Sequence, residues 1–303
     1  MNLVTIVILS QGRCGLSKCV ARYLVSMAVA DLLVIIVDVI LRQIPIAHAT
    51  HFLFVRNIKL CNIHSVLLYA VTDCSVWYTV AFTFDRFVAI CCQKLKAKYC
   101  TERTATIVVG SVTVLFLLKN TFWYFVLTSE YLLFNIPWFC NVLDTFVLSR
   151  VWGAVETIHY ILTPFVPFFL ILLLNALTVR HILVSSGARR RLRLHSSGKN
   201  PSDPEIEKRR KSIILLFVIS GNFILLWVMF LVNSIYLRII MMQDNASMSI
   251  SDVLQEIGFM LQLLSSCTNT CIYVATQNKF RNELKSVLKY PITLILKCCW
   301  GNK

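Results

Sequence analysis

RYLVSMAVADLLVIIVDVILRQIPI, the run from Arg22 to Ile46, decides what this chain is dissolved in. Between Tyr23 and Leu41 its only charged residues are Asp31 and Asp38. A helix of this length rises about 37 Å at 1.5 Å per residue, enough to cross a hydrocarbon layer about 30 Å thick. Five further runs of the same kind follow at Asn62–Cys91, Thr104–Leu127, Val151–Val184, Ile213–Arg238 and Asp252–Tyr273. Lipid offers backbone groups no partners, so each run is expected to be helical. A seventh apolar stretch, Asn2–Ser10, opens the chain and spans only about half a bilayer at helical rise. No positively charged leader precedes it and no small-residue cleavage site follows, so it reads as a first helix truncated at its N-terminus. The expected fold is an all-α membrane protein, a seven-transmembrane helix bundle forming a single domain over residues 1–303, with residues 185–207 as a flexible third cytoplasmic loop.

Composition agrees. The chain is 57% hydrophobic and 15% charged, against roughly 25% charged in soluble domains. The net charge of +15 does not indicate nucleic acid, because the basic residues alternate between loops. Arg13, Lys18, Arg22, Lys94, Lys96, Lys98, Arg103, the loop from Arg180 to Lys211 and the tail from Lys279 to Lys303 share one face. Only Arg42, Arg56, Lys59, Lys119, Arg150 and Arg238 are assigned to the other. The richer face is cytoplasmic by the positive-inside rule, which places the C-terminus in the cytosol of a multi-pass plasma-membrane protein. That face also attracts anionic membrane lipid. The sequon Asn245-Ala246-Ser247 then falls outside and is a candidate glycosylation site. Of twelve cysteines, only Cys61 and Cys140 face the oxidising compartment, so these two are expected to form a disulfide.

Several classes lose support. There is no His-Glu-x-x-His, no Gly-x-Ser-x-Gly and no cofactor fingerprint, so no enzyme is expected. A proton-coupled transporter is an alternative motivated by Asp31, Asp38 and Asp73 within spans, but no internal repeat or pair of broken helices accompanies them. A truncated receptor that no longer signals is a second alternative.

The motifs, in order, resemble the rhodopsin family of G-protein-coupled receptors from Asn2 to about Lys289. Asn2 matches the family's first-helix Asn, and the run ending in Asp31 its second-helix acid. Asp85-Arg86-Phe87 stands where the family has Asp-Arg-Tyr, 25 residues after Cys61. Pro167, Trp227 and Asn269-Thr270-Cys271-Ile272-Tyr273 match the fifth-helix proline, the sixth-helix tryptophan and the seventh-helix Asn-Pro-x-x-Tyr. Lys279-Phe280-Arg281 opens what resembles the amphipathic helix 8, with residues 278–303 as helix 8 and tail. The text from Trp77 to Cys91 is most similar to an orphan group linked to aromatic amino acids and related to neuropeptide receptors. Met229 and Thr270 replace two family prolines, and Phe87 replaces Tyr.

The resemblance implies a receptor that binds an extracellular small aromatic or peptide ligand and activates heterotrimeric G proteins. It implies activation roles for Asp85, Arg86, Phe87, Trp227, Asn269 and Tyr273. It also implies a polar network of Asn2, Asp31, Ser75 and Asn269, with an allosteric sodium ion at Asp31 and Ser75. A hydrogen-bonded protonated Asp31 is the plainer alternative. Many relatives latch the Arg86 position with an acid at the base of the sixth helix, where register here gives Arg209, so high ligand-free signalling is expected. Leu68 stands where amine receptors carry an Asp. Helical register turns Tyr69, Thr72, Asp73, His159, Phe230 and Phe259 toward a ligand pocket, with interhelical packing the alternative. On the sixth helix no Arg lies near Trp227; Arg238 at the rim is the nearest. Cys298 and Cys299 are candidate palmitoylation sites, free thiols being the alternative. The orientation has a direct check: an epitope appended after Lys303 should bind antibody only after cells are permeabilised.

Overall fold

The computed structural model describes residues 1–133, 139–143, 150–193, 204–242 and 249–287. Asn245, Cys298 and Cys299 lie outside the described residues, as does 194–203 of the cytoplasmic loop. Among the described residues six helices are long and apolar enough to cross a membrane, and a nine-residue helix, α1 (Asn2–Ser10), precedes them. They are α2 (Lys18–Ala47), α3 (Cys61–Cys91), then a short α4 (Gln93–Tyr99), α5 (Glu102–Val126), α6 (from Arg150 to Arg193), α7 (Pro204–Met242) and α8 (Ser249–Thr276). A last helix, α9, covers residues 278–287.

The helices begin earlier than hydropathy suggests because polar caps extend them into the interface. Ser17 accepts from Val20 N at 3.4 Å at the head of α2, and Thr101 accepts from Thr104 N at 3.2 Å at the head of α5. The turn joining α1 to α2 uses Gly12 and Gly15, both at φ +69°, a region open to glycine at little steric cost. At the other end, helix continues through residues 185–193 and resumes at Pro204, so part of the segment expected to be flexible is helical. Its Leu and Arg residues are good helix formers.

Among the described residues, two of the spanning helices depart from α-geometry. α2 runs as a π-helix over Ile35–Gln43, ahead of Pro45. α6 breaks at Ile161–Phe165, where Thr163 sits at φ −140°, ψ 80°. Pro164 is the cause, since a proline ring pushes the preceding residue out of the α-region. The distortion of α6 therefore lies at Pro164, one turn before Pro167, which the sequence motif had singled out.

α3 is the axis of the bundle. It packs against α2, α5, α6 and α7, and it has the largest buried share of any span, 56% of its most apolar window. α5 lies outermost, with 17% buried, and presents Ile107, Val114, Leu115 and Leu118 outward, as expected for a lipid-facing rod. α7 and α8 approach closely at Gly258, where a Cβ would come 3.2 Å from Phe230 Cα. α9 is anchored by Phe280, fully buried with its ring 5.8 Å from that of Tyr273.

The outer end is tied by the disulfide Cys61–Cys140, with Cα atoms 5.8 Å apart. The loop after α5 lies over α3 as a short antiparallel ladder, in which Thr128 N donates to Asn141 O at 2.8 Å and Leu132 N to Phe139 O at 2.8 Å. The covalent tie and the ladder hold the same loop. Cys140→Ser should cost about 2–4 kcal/mol and lower the melting temperature in detergent; an unchanged melting curve would show that the ladder alone suffices.

Candidate functional site

Polar residues are expensive inside a bilayer, about 2.5–3.5 kcal/mol each for a charge on insertion scales, so their partners locate the working parts of the bundle. Four such groups succeed one another from the disulfide end to the cytoplasmic end.

The outermost is a cavity of about 300 Å³ under the disulfide-tied loop. Tyr69, Thr72, His159, Phe230 and Phe259 line it, with Trp123, Phe139 and Trp227 adding aromatic surface. Tyr69 stacks on Trp123 at 4.6 Å, and His159 meets both rings edge-on at 5.0 and 5.5 Å. One wall carries an ion pair: Arg42 Nε donates to Asp38 Oδ1 at 2.6 Å. The Arg42 guanidinium lies 5.8 Å from the ring centroids of Phe139 and of Phe259. The Oε1 atom of Gln262, which also lines the cavity, is buried with no hydrogen-bond partner among the described residues.

Asp73 is not among the cavity's lining residues. It is fully buried just beyond, accepting from Lys119 Nζ at 2.8 Å, from Asn120 Nδ2 at 2.6 Å and from the Thr163 hydroxyl. Lys119 Nζ also reaches His159 Nδ1 at 3.2 Å, which joins this cluster to the cavity wall. The break at Pro164 is what presents Thr163 to it.

Arg42 and Lys119 correct the charge assignment made from sequence. Both were placed with the outer loops, and both point into the bundle. A cation inside a span is tolerable when a carboxylate faces it. Each had a sequence signal: Asp38 and Arg42 are one helical turn apart in an apolar run, and Lys119-Asn120 interrupts another.

The middle layer surrounds Asp31, 1% exposed. Ser75 Oγ donates to its Oδ1 at 2.6 Å and Asn269 Nδ2 to its Oδ2 at 2.6 Å. Asn2 is placed one step away: its Nδ2 donates to Ser266 O at 2.9 Å, and Thr270 Oγ1 donates to its Oδ1 at 3.4 Å. Beside these lies a small polar pocket of about 10 Å³ lined by Ser75, Asn222, Ser265, Ser266 and Asn269. Trp227 lines both this pocket and the outer cavity, stacked on Phe223 at 5.2 Å and edge-on to Phe230 at 6.1 Å.

The innermost layer holds Asp85 and Arg86. Asp85 is fully buried; Arg86 Nε donates to its Oδ2 at 3.0 Å and Cys19 Sγ donates to its Oδ1 at 3.1 Å. Arg86 NH1 donates to Ser212 Oγ on α7 at 3.2 Å. Cys100, in the turn before α5, donates its thiol to Asp85 O at 3.6 Å. Burial first, and then the nearby Asp85 carboxylate, push that thiol up to about 12, so it stays protonated and unreactive. Phe87 is half-buried with its ring 6.4 Å from that of Phe84. Tyr273 is buried, and its hydroxyl has no hydrogen-bond partner among the described residues.

The sequence profile described as 7 transmembrane receptor (rhodopsin family) matches residues 1–273. The chain belongs to that family. This rhodopsin-family receptor is a multi-pass membrane protein and not an enzyme; its family partners are an extracellular ligand and a heterotrimeric G protein. Its buried Asp73–Lys119 pair gives a test of the cluster below the cavity. Lys119→Leu leaves a buried carboxylate alone and should cost about 3–5 kcal/mol, and pairing it with Asp73→Asn should recover much of that loss. Melting curves in nanodiscs read both; a single variant as stable as the parent would show that the pair is idle.

Proposed function

We propose that this receptor binds a small aromatic or peptide ligand in the cavity beneath the Cys61–Cys140 loop. The observation that carries the reading is Trp227, shared between that cavity and the polar pocket at Asn269. A ligand packed against Trp227 and Phe230 therefore bears on the residues around Asp31 without a long relay. The cavity's size suits a small ligand, and its walls combine aromatic surface with a few polar groups. Its charged residues, Asp38 and Arg42, neutralise each other, so net charge does not favour an amine over an acid. Similarity of the Trp77–Cys91 text to the orphan group linked to aromatic amino acids supports the aromatic reading over an aminergic one. We assign the whole chain to one receptor domain.

In this reading Asp85, Arg86 and Phe87 form the cytosolic end of the switch. Trp227, Asn269 and Tyr273 transmit to it, and Arg86 is released from its partners to meet the G protein. A sodium ion suits the middle layer, because Asp31 and Ser75 offer oxygen donors beside a pocket of about one water's size. When bound there it would supply positive charge that keeps Asp31 ionised and the layer closed; Asp31 and Ser75 would hold it.

The experiment exposes cells expressing the full chain to aromatic amino acids and short peptides, reading calcium and cyclic AMP. A response should weaken at least about tenfold in potency, about 1.4 kcal/mol, in Phe259→Ala. No response to any member of the panel, or one that Phe259→Ala leaves untouched, would sink the ligand reading. For the middle layer, sodium should lower agonist affinity in the parent and have no effect in Asp31→Asn. Agonist binding in the parent that ignores sodium would dispose of the ion.

A further inference from the structure

The Lys119 ammonium has three acceptors around it: Asp73 Oδ2 at 2.8 Å, His159 Nδ1 at 3.2 Å and Thr163 Oγ1 at 3.5 Å. An ammonium has protons to give and no lone pair, so toward His159 it can only donate. Nδ1 is therefore the bare nitrogen of a neutral ring, and the single ring proton sits on Nε2. Tyr69 and Trp123 meet this ring edge-on at 5.0 and 5.5 Å and brace its plane. His159 lines the cavity, and none of the hydrogen bonds among the described residues uses its Nε2. One wall thus offers the cavity an N–H donor, and a cation outside the cavity sets it there.

Charge narrows what can meet that donor. Among the described residues lining the cavity only Asp38 and Arg42 are charged, and they are paired with each other. Lys119, behind the His159 ring, is likewise held by Asp73. A charged ligand group would leave water and find every opposite charge at the cavity already engaged, which makes its desolvation costly. An ammonium would in addition bring a donor to a donor, one ring away from Lys119. A carbonyl oxygen has neither fault.

We propose that the cavity takes an uncharged aromatic ligand whose carbonyl oxygen accepts from His159 Nε2, and that Lys119 is the positioning residue that makes His159 a donor. The inference rests on the reading above that this cavity is the ligand site, and it names the polar group the ligand must carry there. Lys119 itself does not line the cavity. It acts through the ring, by occupying Nδ1, and the Asp73 carboxylate and the Thr163 hydroxyl at the break in α6 hold it in place. Without the ammonium nothing reserves Nδ1 as the acceptor, so the ring proton is free to sit on either nitrogen and Nε2 loses its fixed role. Arginine at position 119 would preserve that role, since a guanidinium also only donates. Glutamine at position 159 would preserve the donor, because its amide N–H reaches about as far as Nε2; phenylalanine would keep the ring and lose it.

The test uses the full chain in nanodiscs and three radiolabelled probes on one phenylpropyl frame: N,N-dimethyl-3-phenylpropanamide, 3-phenylpropanoate and 3-phenylpropylamine. The first is uncharged and carries an acceptor with no donor. It should bind at least about tenfold more tightly than either charged probe, after subtraction of empty nanodiscs. His159→Phe and the charge-neutral pair K119M/D73N should each weaken the amide about tenfold, while His159→Gln and Lys119→Arg stay close to the parent. Equal binding of amide and charged probes overturns the ligand class, and amide binding that survives His159→Phe overturns the contact. Nitrogen-15 spectra of the histidine-labelled parent, with His159→Gln identifying the signals of His159, should show a protonated Nε2 and a bare Nδ1, an assignment that blurs in K119M/D73N. A parent ring protonated at Nδ1 overturns the part given to Lys119 even if every variant misfolds. Phe259→Ala separates this inference from the reading beneath it. Amide binding that Phe259→Ala weakens and His159→Phe does not sinks only the hydrogen bond; binding indifferent to both, or no binding of any probe, sinks the cavity as the site as well.

Discussion

Hydrocarbon cannot hydrogen-bond, and that single property orders this molecule. Backbone groups close on themselves in helices, and each charged side chain within a span must find an opposite charge or several donors inside the bundle. Asp73 shows how completely this operates. It lies at the centre of the membrane-spanning region of α3 and takes an ammonium from α5, an amide from α5 and a hydroxyl from α6. Helix α5 is otherwise the most lipid-exposed rod in the bundle. Its inward contacts with α3 include this polar knot, where a wholly apolar face would have little to choose between protein and lipid.

The same requirement creates the layers. Asp38 with Arg42, Asp73 with Lys119, Asp31 with Ser75 and Asn269, and Asp85 with Arg86 succeed one another from the disulfide end to the cytoplasmic end. Lys119 links the Asp73 set to the cavity wall through His159, and Trp227 lines both the cavity and the polar pocket beside Asn269. Each polar set has a limited number of satisfactory arrangements, so a change of partners is discrete and not graded. Such sets suit a protein that switches. The substitutions at Met229 and Thr270 remove two prolines that kink helices in relatives, yet α2 and α6 keep distortions of their own at Ile35–Gln43 and Ile161–Phe165.

The inner face differs in kind from the outer ones. Asp85 there takes thiol donors, Cys19 at its carboxylate and Cys100 at its backbone carbonyl, and its carboxylate pairs with Arg86. The link from Arg86 to α7 is a serine hydroxyl. An acid at that place would hold Arg86 more firmly than a hydroxyl does.

Much of this was legible in the sequence. Run length gave the spans, lysine and arginine placement gave the orientation, and orientation singled out Cys61 and Cys140. Periodicity turned Tyr69, Thr72, His159, Phe230 and Phe259 to a common side. These are one-dimensional properties: a span's hydropathy and a helix's 100° step are fixed by the residues themselves. Tertiary structure alone decided which polar residue meets which. Lys119 and Arg42 look like loop cations when counted by position, and Asp73 looks like a pocket acid when read by register. Only the distances between α3, α5 and α6 assign Lys119 to Asp73, because pairing depends on where separate rods are held against each other. Ser212 as the partner of Arg86 has the same origin. Nothing in their separation of 126 positions records that contact; it exists because α3 and α7 pack side by side at the cytoplasmic end.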